Sequence, residues 1–328
     1  MDDIQTLKKK TSKDNVKRCF EIKEVSSTQK LLFSIFIWKR KEKYGIVKKK
    51  ERRNWMTQDL SNENVVHVKK GEIAYLQFRK LLEYQSILTH CFTLKPLNYI
   101  ADESDRSKLV DQYIKIGNAL DININHIVRA YQTHGTTVKE ITSIQPNNTI
   151  YDDTGLKAVD GLITSQKEIF LSTVSADCLL FLFFDPIKRV IANVHSGWRG
   201  TLGKIAQKAV YEMIASNGCR PEDIICCFCP SIGVCHFEVH EDVQKSFYDT
   251  FYYTGNIQEI IKPIGKVEGK EKWVIDTVLI NQILLQEIGL KKNNIIFSNI
   301  CSNCHCDLIH SRRKDSNSGR NTAIIGFR

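Results

Sequence analysis

Three side chains in the middle of the sequence could act together on a substrate: His134, Cys178 and His195. Two imidazoles and a thiolate form a ligand set for Zn²⁺ that leaves a fourth position for water or substrate. Zinc in such a site lowers the pKa of bound water and polarises an acceptor group. Two other interpretations remain open. Cys178 could be a nucleophile with His195 as its base, or all three could be buried structural residues.

The segment 175–200 predicts a hairpin of two apolar strands that would bring two of these residues together. The first strand is expected over 178–184 and the second over 190–195, with turn-forming residues 185–188 between them. Because the start of one antiparallel strand lies beside the end of its partner, Cys178 and His195 should meet at one sheet edge. His134 follows another short predicted strand, 127–131.

The residues after His195 predict an anion site beside the three ligands. Residues 196–200 are typical of a tight, Gly-flanked loop that leads into a helix with apolar positions up to Ile214. Backbone N–H groups at such a turn, together with the helix dipole, favour a phosphate or a carboxylate. Arg199 would add a full positive charge.

The positive charge of the chain is concentrated at its N-terminal end. The formal net charge is +10, from 47 Lys and Arg against 37 Asp and Glu. Residues 1–53 hold 17 of the Lys and Arg residues and 7 of the Asp and Glu residues. The rest of the chain therefore holds 30 of each sign and is neutral. We therefore predict a basic, partly disordered extension over 1–65 and a catalytic domain over 66–328. A neutral body argues against a nucleic-acid-binding domain, leaving the arm to make weak contacts.

The cysteine content and the hydropathy of the chain indicate its cellular compartment. The chain has 11 cysteines, an odd number, and no segment typical of a secretory signal. No apolar run approaches the ~18 residues that a membrane span needs. We expect a cytoplasmic protein with free thiols. Strands and helices alternate irregularly, which predicts a mixed sheet with helical layers.

The C-terminal segment holds two further clusters. Cys301, Cys304 and Cys306 could be a haem attachment motif, part of a zinc site completed by cysteines 226, 227 and 229, or free thiols near the sheet edge. Haem attachment requires an exported context, so free thiols are the favoured interpretation. Four cations, at positions 312–314 and 320, could clamp a phosphate or form a solvated loop.

Several motifs of the chain resemble those of the YfiH-like family and occur in the same order. The members of this family are also called laccase-domain or multicopper polyphenol oxidase proteins and are described as purine nucleoside phosphorylases. The resemblance covers roughly residues 70–328. The motifs are Q-T-H-G at 132–135, A-D-C at 176–178, V-H-S-G-W-R-G at 194–200, P-S-I-G-V-C-H-F-E-V at 230–239, C-S-N-C at 301–304 and D-S-N-S-G-R at 315–320.

The resemblance implies an α+β (mixed α/β) fold, a layered sandwich around a large mixed β-sheet. It implies a Zn²⁺ ion held by His134, Cys178 and His195. The implied activity is phosphorolysis of adenosine, inosine, guanosine and methylthioadenosine, with adenosine deamination. Purine nucleosides and phosphate are then the partners, and the chain could be a monomer or a homodimer. Three positions depart from the family pattern: Cys229 replaces a loop Gly, Arg312 replaces a Tyr and Lys314 replaces an Arg.

Four more residues are candidates within this scheme. Arg199, with the backbone of 197–200, and Arg313 could bind phosphate. Asp177 precedes the Cys ligand and Asp160 precedes Gly161, so either could orient a ligand or relay a proton.

Three alternatives differ in chemistry: a metal-free thiol hydrolase or amidase using Cys178 and His195, a copper phenol oxidase, and a non-catalytic scaffold that binds a partner through its basic arm. A copper site is expected to use clustered histidine pairs, which a chain with nine histidines does not display.

Overall fold

The computed structural model describes residues 58–102 and 104–328. Most of the predicted basic extension, residues 1–57, lies outside the described residues. Its last part is joined to the body, because the side-chain amides of Asn62 and Asn64 donate hydrogen bonds to the carbonyls of Ser298 and Phe297. The first described strand begins at Val65.

The described part of the chain contains fifteen β-strands and seven α-helices. The strands are β1 Val65–Lys70, β2 Ile73–Phe78, β3 Leu88–Thr93, β4 Ile127–Arg129, β5 Val138–Glu140, β6 Gly161–Thr164, β7 Phe170–Ser175, β8 Leu179–Asp185, β9 Val190–Ser196, β10 Ile225–Phe228, β11 Glu238–Val239, β12 Ile261–Val267, β13 Lys270–Ile275, β14 Ile295–Phe297 and β15 Asn321–Phe327. The α-helices are α1 Arg79–Leu82, α2 Ser107–Leu120, α3 Trp198–Leu202, α4 Ile205–Asn217, α5 Glu241–Phe251, α6 Ile257–Ile260 and α7 Thr277–Glu287.

These strands form two six-stranded sheets and one of three strands. The first sheet has the order β1-β2-β3-β15-β7-β4, and the second has the order β14-β10-β8-β9-β6-β5. Both are mixed: β4 pairs with β7, β5 with β6 and β10 with β14 in parallel, whereas the other pairs are antiparallel. The α+β class and the mixed pairing are confirmed. The strands are divided between two large sheets, where a single large sheet was expected.

Burial on both faces explains the continuous apolar run in β8. Leu180, Leu182 and Phe184 face a core shared with residues of the first sheet, such as Leu171 and Ile325. Phe181 and Phe183 point the other way, into a core that α4 and α7 complete. A strand covered on both faces has no solvent side, so it does not alternate between apolar and polar residues.

The layers follow from these two cores. The two large sheets pack face to face, α4 covers the outer face of the second sheet, and α2 covers the outer face of the first through Tyr113 and Ile116. The small sheet packs on α5 and α7 around Phe247 and Phe251. No helix within 58–102 and 104–328 is both long and apolar enough to cross a bilayer.

One buried polar residue joins the two large sheets. Asn193, on β9, donates its side-chain amide to the carbonyls of Leu171 (2.9 Å) and Ala323 (2.8 Å) in the first sheet. Its amide oxygen accepts a hydrogen bond from Thr173. Because every polar atom of this buried side chain has a partner, it fixes how the two sheets are positioned without leaving an uncompensated desolvation cost.

Candidate metal centre

The central hairpin places Cys178 and His195 at the same end of the second sheet. β8 and β9 are antiparallel, with Leu180 opposite His195 and Leu179 opposite Ser196. Cys178 immediately precedes β8, and His195 is the penultimate residue of β9. The predicted meeting of these two side chains at one sheet edge is therefore confirmed.

The third residue, His134, arrives on a loop that wraps around a carboxylate. The backbone amides of Thr133, His134 and Gly135 donate to the side chain of Asp160 over 3.2, 3.0 and 2.9 Å. His134 has a φ of 63°, in the left-handed region that non-glycine residues rarely occupy. The three hydrogen bonds compensate for this backbone conformation and hold the imidazole towards the sheet edge.

The same carboxylate orients the second imidazole. Asp160 Oδ1 lies 2.8 Å from His195 Nδ1, and the Asp160 carbonyl accepts the amide of His195 over 2.7 Å. With Nδ1 engaged, Nε2 is the ring nitrogen left to bind a metal. Burial raises the pKa of Asp160, but the hydrogen bond and charge of His195 and the amides around it outweigh burial, so this pKa lies below its usual value.

The three side chains fit a metal ion. The ligand atoms of His134, Cys178 and His195 all lie within 4.8 Å of one another. His195 is buried, Cys178 is half-buried and His134 is exposed, so the site opens on the His134 side. Gly197 permits the close approach: a Cβ there would lie 2.8 Å from His134 Cδ2 and 3.3 Å from Cys178 Sγ. One thiolate and two imidazoles with an open side are the donors of a catalytic zinc site.

The electrostatics favour a thiolate at this position. Burial raises the pKa of Cys178, but hydrogen bonds and charges from His134 and His195 outweigh burial and lower the pKa to about 6. Burial lowers the pKa of His195, but Asp160 and Cys178 raise it to about 9. A thiolate is the form of Cys that binds metals and attacks electrophiles.

Asp177 ties together the loops around the site. Its carboxylate accepts hydrogen bonds from Ser302 Oγ and from the amide of Arg313 (2.7 Å), and its carbonyl accepts the amide of Ile232 (2.8 Å). Its φ of 91° is strained for a residue with a side chain. These contacts hold the residue next to Cys178 in place from three separate segments.

The two predicted phosphate-binding arginines have different environments. Arg199 is exposed, and its guanidinium carbon lies 4.2 Å from the centre of the Trp198 ring. Arg313 is also exposed, but its guanidinium donates to the carbonyls of His236 and Glu238. The predicted anion-binding loop 196–200 is different in the structure: β9 runs to Ser196, and α3 already begins at Trp198.

The predicted helix after this segment is also interrupted. Lys204 has a left-handed φ of 57°, which separates α3 from α4. The five-residue α3 packs its Thr201 against Ser196, with 3.0 Å between the hydroxyl oxygens. The apolar periodicity predicts one helix because it continues across the break.

Arg320 is one of the four cations that could clamp a phosphate. Arg320 is half-buried, and its pKa is lowered by burial and by Arg312, while the negative charges of Cys178 and Asp177 raise it.

Sequence reasoning missed a group of four potential ligands, Cys235, His236, Cys301 and Cys304. Cysteines 226, 227 and 229, one alternative for completing a zinc site with Cys301, are instead buried in the apolar cores.

A two-layered β-sandwich flanked by helices, with a Cys/His group at a sheet edge, defines an α+β protein with a candidate metal centre. The family model described as multi-copper polyphenol oxidoreductase laccase matches residues 91–328. This chain belongs to that family, as the resemblance in its motifs predicted.

Relatives and a solved structure agree with this assignment. The chain is 27% identical over 215 residues to purine nucleoside phosphorylase YlmD of Bacillus subtilis, covering 65% of this chain and 75% of that protein. It is 29% identical over 225 residues to adenosine deaminase RL5 of an unknown prokaryotic organism, covering 68% and 82%. It is 27% identical over 244 residues to purine nucleoside phosphorylase LACC1 of Mus musculus, covering 72% of this chain.

The chain spans about half of LACC1, 52% of its length. The crystal structure of the hypothetical protein YfiH of Bacillus licheniformis has a TM-score of 0.71 and 24% identity, over 80% of this chain and 99% of that one. This likeness confirms the fold.

Proposed function

We propose that this chain is a zinc-dependent purine nucleoside phosphorylase that also deaminates adenosine. The observation that carries the proposal is the convergence of His134, Cys178 and His195 on one point beside an open surface. The relatives named purine nucleoside phosphorylase and adenosine deaminase support both activities. The proposed substrates are phosphate with adenosine, inosine, guanosine or methylthioadenosine.

The protein's own contribution is to hold the ligands in place before substrate arrives. Zinc bound by His134, Cys178 and His195 would supply Lewis-acid polarisation and a water of lowered pKa. The Asp160 carboxylate accepts four hydrogen bonds, three from backbone amides and one from His195. We therefore assign Asp160 the role of positioning His134 and His195. Its lone pairs are occupied, which argues against a proton relay through this carboxylate.

Phosphate binding is assigned to the exposed arginines. Arg199 has a guanidinium that stacks on Trp198 and keeps its N–H donors for a ligand. Arg313 uses two Nη atoms on backbone carbonyls but retains further N–H donors, so it can contribute as a second cation. We assign Asp177 a positioning role, because its carboxylate already accepts hydrogen bonds from Ser302 and Arg313.

The decisive test combines nucleosides, metal and one variant. The purified full chain is incubated with phosphate and each of the four nucleosides, with and without a chelator, and released base and ribose 1-phosphate are measured. We expect turnover that the chelator abolishes and that added zinc restores. The Cys178→Ala variant should lose the zinc held at His134 and His195 together with turnover, whereas Cys219→Ala, which removes a buried thiol elsewhere, should keep both. Inosine cleavage by Cys178→Ala protein with no zinc at this centre would refute the proposal.

A metal-free thiol hydrolase is the second candidate, and one observation favours it. Asp160, His195 and Cys178 are arranged as carboxylate, imidazole and thiol, the order of a Cys-His-acid triad. Alkylation of Cys178 would then abolish activity, and a chelator would leave it unchanged. Copper-dependent phenol oxidation is less consistent with the donors, because the two Cys/His groups found in residues 58–102 and 104–328 hold two histidines and one histidine, without the clustered histidine pairs expected of a multicopper site.

A further inference from the structure

A second set of metal-ligating side chains lies in two loops that meet beside Asp177. Cys235 and His236 come from the loop between β10 and β11, and Cys301 and Cys304 come from the loop between β14 and β15. The ligand atoms of all four lie within 4.8 Å of one another. Cys301 is buried and the other three are half-buried, so the group is largely shielded from solvent.

The distances match the edges of a zinc-centred tetrahedron. With Zn–S bonds of about 2.3 Å and Zn–N bonds of about 2.0–2.1 Å, ligand atoms should lie about 3.8 Å apart for two sulfurs and about 3.5 Å apart for sulfur and nitrogen. The Cys235 and Cys304 sulfurs are 3.7 Å apart. His236 Nδ1 lies 3.5 Å from Cys304 Sγ, 3.7 Å from Cys301 Sγ and 3.2 Å from Cys235 Sγ.

The backbone of the two loops supports this cluster. Ser231 and Cys301 form a parallel bridge, and the Ser302 amide donates to the Ser231 carbonyl over 2.9 Å. Gly233 donates its amide to Cys301 Sγ over 3.2 Å, a contact that stabilises a thiolate. A Cβ at Gly233 would lie 3.3 Å from Cys235 Sγ, so glycine leaves room for the sulfurs.

We propose that Cys235, His236, Cys301 and Cys304 bind a structural Zn²⁺ ion, separate from the centre at His134. Three thiolates and one imidazole are a complete four-ligand set with no position left for water, which is typical of structural zinc. Soft thiolates select zinc over magnesium, calcium or manganese. The site neither uses nor requires the proposed nucleoside chemistry.

The ion would fasten the loops that brace the first centre. Ile232 and Ser302, which flank the cluster, both hydrogen-bond to Asp177, next to Cys178. Arg313 donates to the carbonyl of His236 itself. Loss of this zinc should therefore loosen the segment that presents Cys178.

Zinc content of the full-length protein tests the proposal. Protein equilibrated with zinc and freed of excess metal is analysed by mass spectrometry of the elements and by native mass spectrometry. We expect two zinc ions per wild-type chain and one in Cys304→Ser. The control Cys306→Ser, in the same loop but outside the cluster, should keep both ions. A Cys304→Ser protein with the wild-type zinc content would overturn the proposal.

The variant Cys178→Ala separates this site from the first. It should keep one zinc, and Co²⁺ bound to it should show the intense thiolate-to-cobalt charge transfer of three cysteine ligands. Adding His236→Cys in this background should keep the ion and increase that absorption by about a third, one thiolate in addition to three. An unchanged cobalt spectrum, or a Cys235–Cys304 disulfide with no ion in protein purified under reducing conditions, would refute the site. Either result leaves the nucleoside test unaffected, because that test compares turnover by the wild type and by Cys178→Ala.

Discussion

Asp160 Oδ1 lies 2.8 Å from Nδ1 of His195, and the same carboxylate accepts the backbone amide of His134 over 3.0 Å. One buried carboxylate thus positions two of the proposed metal ligands, which come from different parts of the chain. Because the ligands are far apart in sequence, their mutual geometry depends on this shared acceptor more than on either local segment.

Replacing Asp160 with Asn should weaken metal binding while leaving the fold intact. An amide can direct its NH₂ group at the amides of 133–135 or at His195, so at least one of the present hydrogen bonds is lost. We expect zinc affinity to fall about 10- to 100-fold, the usual effect of removing a carboxylate behind a histidine ligand. Competition with a chromogenic chelator measures it. Asp249→Asn, an exposed change on α5, is the control, and equal affinities for the two variants would contradict this role.

Gly197→Ala should damage the centre sterically. The new Cβ would lie 2.8 Å from His134 Cδ2 and 3.3 Å from Cys178 Sγ, so at least one ligand has to move. Zinc affinity should fall by at least 10-fold, as in other cases where a ligand loses its support. At Gly200 the nearest atoms lie 3.4 Å from an added Cβ, so Gly200→Ala should keep normal affinity. Matching zinc titrations for the two variants would show that Gly197 has no such function.

Arg199→Gln should raise the KM for phosphate and leave the KM for the nucleoside nearly unchanged. A charge-assisted hydrogen bond is worth about 1.5–3 kcal/mol, which corresponds to roughly a 10- to 100-fold change. Initial rates at varied phosphate and fixed inosine give the answer. The exposed Arg220, which pairs with Asp223, provides the matched control as Arg220→Gln. A phosphate KM equal to the wild-type value would remove Arg199 from the anion site.

His90 should make the protein less stable in mild acid. Burial lowers the pKa of His90 to about 3, and its Nε2 accepts the amide of Phe78 over 2.7 Å. In the unfolded chain His90 has the ordinary pKa of about 6.5 and binds a proton that the folded state cannot accept. The stability that neutral His90 contributes is therefore complete above about pH 6.5 and is lost as the pH falls. Between about pH 7.5 and about pH 5 the loss is about 2 kcal/mol.

Urea unfolding of wild type and His90→Gln at several pH values tests this effect. The glutamine can still accept the Phe78 amide but does not titrate, so its free energy of unfolding should fall less steeply below pH 6.5. Parallel curves for the two proteins would show that His90 carries none of the acid sensitivity.

Local sequence determined the central hairpin, the α+β class and the meeting of Cys178 with His195. The apolar runs of β8 and β9 can be buried only as interior strands, and an antiparallel turn fixes which of their ends coincide. The motifs then predicted His134 as the third ligand, which the structure brings to the same point.

Only the tertiary structure decided the partners that come from distant loops. Asp177 as an anchor, Arg313 on the carbonyl of His236, and Cys235 with Cys304 depend on how the loops after β10 and β14 approach each other. The periodicity of the sequence does not predict that these two loops meet. Their meeting is set by the parallel pairing of β10 with β14 and by packing between layers. The division of the strands into two sheets was hidden for the same reason: a strand buried on both faces has the same apolar sequence whether a sheet or a helix covers it.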